Sequence, residues 1–369
     1  KLREGGKLPP EVRSDLYRRW AELLWRQYAD REAERCLRTA LADLPQNLKA
    51  QQLLSEIVFA TPSADVAARG LRRAEHILAR VAANPLDLRA RREATILAGS
   101  LGLGEIFDAW DAETSKLSVY LGLDHPWSAA DDIALAESAI SAGRPARAVA
   151  ILTPLISPGG PGSGRQPTSR PTGSAPAATR PGEGPIAQAR LAVLLAARAI
   201  PDQALASAQE EWFETVYRTA AAGDHPPAAD AATAAVYFAV YAERVKDPTD
   251  RALALAAAAR AGAEGAEREL AALAEALALA RAGRAKEAFR VLRHLRDLDR
   301  PLAALARVWA HLAENDPLRA RDVLKTALRS ANPGPARAHL EQLWRDVALG
   351  DPPKLDFGPV GAAFRGLPS

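Results

Sequence analysis

The chain has 369 residues, 48% of them hydrophobic but only 5% aromatic, and carries 48 basic against 45 acidic side chains for a formal net charge of +3. A core of that composition, rich in alanine and poor in β-branched and aromatic residues, excludes a sheet-based fold and points to closely packed helices. The near balance of interspersed charges argues against a nucleic-acid footprint, no apolar run reaches the ~18 residues of a membrane span, and the lone Cys36 excludes a disulfide framework or a thiolate metal cluster.

Residues 1–10, with Gly5, Gly6, Pro9 and Pro10, read as a flexible leader into a first helix over 11–28. A second helix carries Ala33, Leu37 and Ala40 on one face before Pro45 stops it. The next two, 46–60 and 64–83, end at Thr61-Pro62 and Asn84-Pro85, with Ala74, Leu78 and Val81 as the core face of the second. A less regular pair, 86–101 and 104–121, is joined by the glycine-rich turn from Gly99 to Gly104, and places Phe107 and Trp110 where small residues are otherwise expected. The helix over 127–142 leads through Ala142-Gly143-Arg144-Pro145 into another with Ala148, Leu152 and Leu155 at i, i+4 and i+7.

Residues 157–185 contain almost nothing that can be buried, and are expected to form a disordered Pro/Gly/Ser/Thr-rich loop or hinge. GGPGSGR within it is no phosphate loop, because no strand precedes it and no Lys-Ser/Thr follows. Helices are expected next at 186–199, at 202–221 opened by Pro201, and at 227–244, 249–261 and 264–282. Gly283-Arg284 then introduces a helix with Ala288, Leu292 and Leu295 inward, and Pro301 opens one reaching 313. After Asn315-Asp316-Pro317 comes a helix with Ala320, Leu324 and Ala327 inward. The helix over 335–349, with Leu340, Leu343 and Trp344, reads as a cap, and the tail 350–369, with Leu355, Phe357, Val360 and Phe364, as extended.

The unit repeats: Ala288 and Ala320 are separated by about 32 residues, one helix-turn-helix period. AGRPARAVAIL at 142–152 and AGRAKEAFRVL at 282–292 show the same turn and the same inward spacing. This pattern resembles the tetratricopeptide repeat, in which small residues at helix crossings let backbones approach and a Pro-type turn closes the unit. The resemblance implies an all-α, right-handed superhelical solenoid of about eight antiparallel helix pairs with a C-terminal capping helix. It also implies that Trp20, Leu24 and Tyr28 occupy packed positions where the family keeps large residues, with repeats over 11–156 and 186–349.

Catalytic signatures are missing. The six histidines never stand at a zinc spacing, although His294 and His311 lie on successive helices, and no GxSxG occurs. Asp131, Asp132 and Glu137 read as helix N-terminal acids facing the helix dipole, and Asp108 and Asp111 beside Trp110 read likewise. Cys36 reads as a small buried apolar residue.

The expected activity is therefore non-catalytic, with no metal or cofactor: a scaffold binding a peptide or amphipathic helix of another protein in the concave groove of a repeat array. Arg18, Trp25 and Arg26 share one face of the first helix, which reads either as a solvated stripe with Glu22 and Arg26 paired or as a peptide-binding patch. Leu302, Leu305, Trp309 and Leu312 form a second stripe, which either packs against the cap or makes a groove for a partner helix. The family's asparagine and lysine clamp for a peptide carboxylate is not supported, since Asn47, Asn84, Asn315 and Asn332 all sit at or beside turns. Two other readings stay open: a recruitment domain of a larger enzyme or cell-envelope complex, and a helical-repeat nucleic-acid binder. The chain starts at Lys1 and has no methionine, which leaves room for a signal or anchor upstream.

Overall fold

The computed structural model describes residues 8–26, 30–60, 66–123, 127–157, 184–242, 245–265, 267–295, 301–348, 352 and 355–365. All regular secondary structure among the described residues is helical, with no strand, and the chain forms two compact units. The first, from 1–126 and 354–369, contains α1 (Pro10–Arg26), α2 (Asp30–Asp43), α3 (Leu48–Ala60), α4 (Val66–Ala83), α5 (Leu88–Ser100), α6 (Gly104–Tyr120) and α18 (Gly358–Arg365). The second, from 127–353, opens with α7 (Ala129–Ser141), α8 (Pro145–Ile156), α9 (Gly184–Ala199), α10 (Gln203–Ala221) and α11 (Ala228–Val236), which continues into a π turn at Tyr237–Tyr241. It goes on through α12 (Pro248–Gly262), α13 (Glu267–Arg281), α14 (Ala285–Leu292), α15 (Pro301–Ala313), α16 (Pro317–Ser330) and α17 (Pro335–Ala348). The unit boundaries thus fall at 126/127 and 353/354 and not within 157–185, most of which lies outside the described residues. The helices that flank that segment, α8 and α9, pack against each other inside the second unit.

Alanines make the contacts between helices. Ala21, Ala33, Ala40 and Ala50 in the first unit, and Ala136, Ala148, Ala288 and Ala320 in the second, have no exposed surface, and Leu37, Leu152 and Leu324 fill the space behind them. Hairpin turns share one geometry. At Gly102, Gly143 and Gly283 the backbone turns left-handed with φ of 74° each, and at Asn315 with φ of 57°. The following residue sends its N–H back to a carbonyl five residues earlier, from Leu103 to Ala98 (3.0 Å), Arg144 to Ala139 (2.8 Å), Arg284 to Leu279 (2.9 Å) and Asp316 to His311 (2.9 Å). This is the Schellman closure, which satisfies helix-end carbonyls and needs a residue tolerant of positive φ. The next helix starts immediately after each turn.

A second turn type joins α2 to α3 and α4 to α5. Leu44-Pro45-Gln46-Asn47 and Asn84-Pro85-Leu86-Asp87 each end in an N-cap, Asn47 accepting from the Ala50 N–H (3.1 Å) and Asp87 from the Ala90 N–H (2.9 Å). In each, the residue four beyond the cap reaches back to the proline carbonyl: Gln51 to Pro45 (2.6 Å) and Arg91 to Pro85 (2.8 Å). Arg80, almost wholly buried, ties the second turn down through Glu93 (2.7 Å) and Asp87 (3.4 Å).

Two expectations change. The helix expected over 227–244 is α-helical only to Val236; the Ala242 N–H then bonds the Tyr237 carbonyl (3.0 Å) across a π turn. The tail expected to be extended instead forms α18, because Val360 and Phe364 one turn apart find apolar cover on α4 and α6. Its Pro/Gly composition hides that helix, which is made by docking and not by propensity.

The turn geometry carries a stability prediction. No atom lies within 4 Å of a Cβ placed on Gly143 or Gly283, so Gly→Ala at either costs only the left-handed backbone penalty. Urea unfolding should show about 1–2 kcal/mol lost for each, while Asn315→Gly should be neutral or slightly stabilising.

Candidate functional site

On α1 the buried edge is centred on Ser14 and Ala21, both with no exposed surface, flanked by Tyr17, Leu24 and Trp25. Ser14 accepts a hydrogen bond from the Asn47 amide (2.8 Å), which fixes the helix rotation against the turn ahead of α3. That rotation places the sequence-derived residues. Trp25 is half-buried against the α2 and α3 core. Arg18 is largely covered and donates to Asp15 (2.9 Å) and Glu22 (3.3 Å). Its hydrogen bond is the main cause that holds the Asp15 carboxyl below its usual range. The Arg26 backbone ends α1, and its side chain lies outside the described residues.

Trp20 does not pack inward as expected; it is 53% exposed, because the Ser14–Ala21 edge points the opposite way. It joins Val12 (44%), Leu16 (41%) and Leu23 (52%) in one bare stripe at i, i+4, i+8 and i+11. α1 is therefore apolar on two opposite faces, of which only one is packed. A charged side chain borders the bare stripe where Arg19 pairs with Asp15 (2.8 Å).

At the other stripe, Leu305 is fully buried and Trp309 half-buried, with the Arg281 guanidinium 5.0 Å from its ring centroid. That stripe is filled by the protein's own core. His294 is exposed, whereas His311 lies against Phe289 with ring centroids 4.7 Å apart. The His311 Nδ1 is buried without a hydrogen-bond partner, and burial lowers its pKa from 6.5. Cys36 is half-buried, and its thiol is pushed up by burial. Among the described residues, no group of His, Cys, Asp and Glu side chains is arranged to hold a metal ion, and no helix is long and apolar enough to cross a membrane.

A second cluster in the second unit carried no sequence signal, because its members come from three distant segments. The Tyr241 ring at the end of the π turn meets His339 of α17, centroids 5.3 Å apart. Gly334, just ahead of α17, approaches α7 so closely that a Cβ on it would lie 3.1 Å from the Ser141 hydroxyl. Ser141 in turn donates to the Glu137 carbonyl one turn earlier in α7 (3.1 Å). Burial pushes the Tyr241 phenol well above its usual 10, and the Glu137 carboxylate adds to the shift. Glu137 keeps solvent-exposed surface, yet crowding by surrounding protein raises its pKa above 4.5. Asp131, by contrast, caps α7 in a reciprocal box with Ser128 (3.1 and 3.2 Å), a structural role.

Under the π turn lies the aromatic heart of the unit. Phe213 stacks on Tyr237 at 4.5 Å, and Arg251, paired with Glu214, covers Tyr217 (4.9 Å) and Phe238 (5.6 Å). Burial pushes the Tyr237 phenol up to about 12. Arg198 donates to the Tyr241 carbonyl (2.9 Å), one of the acceptors at the end of the π turn. No family model matches this chain, and no curated protein matches it.

Glu137 yields a pH prediction. Its folded pKa is raised, so the folded protein holds this proton more tightly than the unfolded chain, and stability falls as pH climbs from about 4.5 through the raised value. Glu137→Gln removes that cost. Calorimetry should find the variant melting above wild type at pH 7–8, with the difference vanishing toward pH 4; a difference independent of pH would contradict the assignment.

Proposed function

We propose that this chain is a tetratricopeptide-like α-solenoid of about eight antiparallel helix pairs with a capping helix, and that it acts as a non-catalytic scaffold for an amphipathic helix of a partner protein. The packing pattern supports the repeat reading: α7, α9, α11, α13, α15 and α17 each touch the next in that series as well as their sequence neighbours. Alternate helices in contact form an inner layer, as a superhelical stack of hairpins requires. The recurring Schellman turns add to it.

The bare face of α1 carries the functional reading. α1 carries apolar side chains well beyond its packed edge, and Val12, Leu16, Trp20 and Leu23 are 41–53% exposed. Covering the exposed half of such a side chain is worth about 0.7–1.5 kcal/mol, and tryptophan is the residue most enriched at binding hot spots. The stripe matches the i, i+4 ridge of a partner helix laid along it. A nucleic-acid role is disfavoured, because arginines across the surface are engaged with neighbouring acids, among them Arg13 with Asp43, Arg38 with Glu34, Arg91 with Glu113 and Arg260 with Glu275.

Leu16→Ala/Trp20→Ala should weaken partner capture by about 1–2 kcal/mol or more while helicity and unfolding free energy stay within about 0.5 kcal/mol of wild type. Trp25→Ala should do the reverse, lowering stability through the α1–α2 core. Capture that is unchanged by the double substitution, measured with the partner identified and purified, would overturn the reading.

A further inference from the structure

The first unit holds a second helix-accepting surface, and the chain's own end occupies it. After leaving this unit at 126/127 the chain completes the whole second unit before returning at 353/354. The returning segment lays α18 across α4 and α6. Val360 and Phe364, one turn apart, are buried to 1% and 3% exposure, and Phe364 meets Trp110 edge to face with centroids 6.0 Å apart. The α18 backbone lies over α6 and the turn before it: a Cβ on Gly361 would make ordinary contact with Ile106 (3.6 Å) and Leu103 (3.9 Å). Leu355 and Phe357 pack at the edge. The rim is polar, with the Arg91 guanidinium 5.8 Å from the Trp110 ring and paired to Glu113 at 2.9 Å. An aromatic floor with an arginine at its rim is the arrangement of an interaction hot spot.

What fills this groove is poorly suited to stay there unaided. α18 has eight residues, among them Gly358, Pro359 and Gly361, and a helix that short and that rich in breakers has negligible stability alone. Only its covalent attachment supplies the local concentration, on the order of millimolar, that keeps it docked. A helix of better propensity carrying the same two anchors would bind the same surface.

We propose that the groove formed by α4, α6 and Leu101–Leu103 is a binding site for a short helix of a partner protein with a β-branched residue and an aromatic residue at i and i+4, and that α18 holds the site closed in cis. This surface is separate from the bare face of α1, and the proposal does not depend on that one.

The test uses the full chain carrying Val360→Ala/Phe364→Ala and a fluorescent peptide LDFGEVAAAFR, the sequence of 355–365 with Pro359→Glu and Gly361→Ala to raise its helix propensity while keeping both anchors. Anisotropy should show the peptide binding this variant at least tenfold more tightly than wild type, and binding should be lost when the peptide's own phenylalanine at the position of Phe364 is replaced by alanine. Trp110→Ala added to the variant should also abolish it. Should the double variant lose helicity by circular dichroism, the single Phe364→Ala chain carries the same comparison. Absence of peptide binding to a variant that keeps wild-type helicity would overturn the proposal. So would a wild-type dimer that the substitutions dissolve, since it would assign the groove to the tail of a second copy.

Discussion

Close approach of helices through alanine is the constraint on which this protein depends. With Ala21, Ala33, Ala136, Ala148, Ala288 and Ala320 wholly enclosed, helix backbones come near enough that a larger side chain at any of these crossings would push two elements apart. The leucines and the few aromatic residues then fill what remains. Such a core buries little area per contact, so it has to be long, and consecutive hairpins supply the length. The Schellman turns at Gly102, Gly143, Gly283 and Asn315 serve the same end, since a turn that closes one helix and starts the next within two residues holds the pair at the spacing that the alanines need.

Against that background the departures have meaning. The π turn at Tyr237–Tyr241 interrupts an otherwise alanine-rich helix where the largest aromatic cluster sits, and inserts Tyr241 beside His339. π turns often mark places where a regular ladder has been given up to aim a side chain. The bare face of α1 departs in the other direction: an apolar stripe where a packed or a polar one would be ordinary. The groove beneath α18 is a third, an apolar surface covered by a segment that would not be helical by itself.

Much of the fold was legible from the residues. Inward positions such as Ala33, Leu37, Ala74, Leu78, Ala148, Leu152, Ala288 and Leu324 followed from spacing alone and are buried. The turns at Gly143, Gly283 and Asn315 followed from the Gly-Arg and Asn-Asp-Pro signals. The rotation of α1 was not legible, because α1 is apolar on both sides and periodicity cannot choose between them; the Asn47–Ser14 hydrogen bond, a tertiary contact, decides it. For the same reason Trp20 was placed inside when it is outside. Whether Leu305 faces the core or a groove stayed open in the sequence because α15 is apolar over most of its circumference, and only packing tells which part is enclosed. The Glu137–Tyr241–His339 cluster could not be read at all, since its residues are about a hundred apart in sequence and join only when the second unit closes. α18 was masked by its glycines and proline.

We propose docking of a partner protein's helix on the stripe of Val12, Leu16, Trp20 and Leu23. It is tested most directly by a photo-crosslinking residue placed at position 20 in the full chain and, as a control on the exposed side of α2, at position 39, each irradiated in cells of the source organism. The account predicts a discrete crosslinked polypeptide from position 20, its attachment mapping to one face of a helix in that partner, and none from position 39. No crosslink from position 20, or the same crosslinks from both positions, would contradict it.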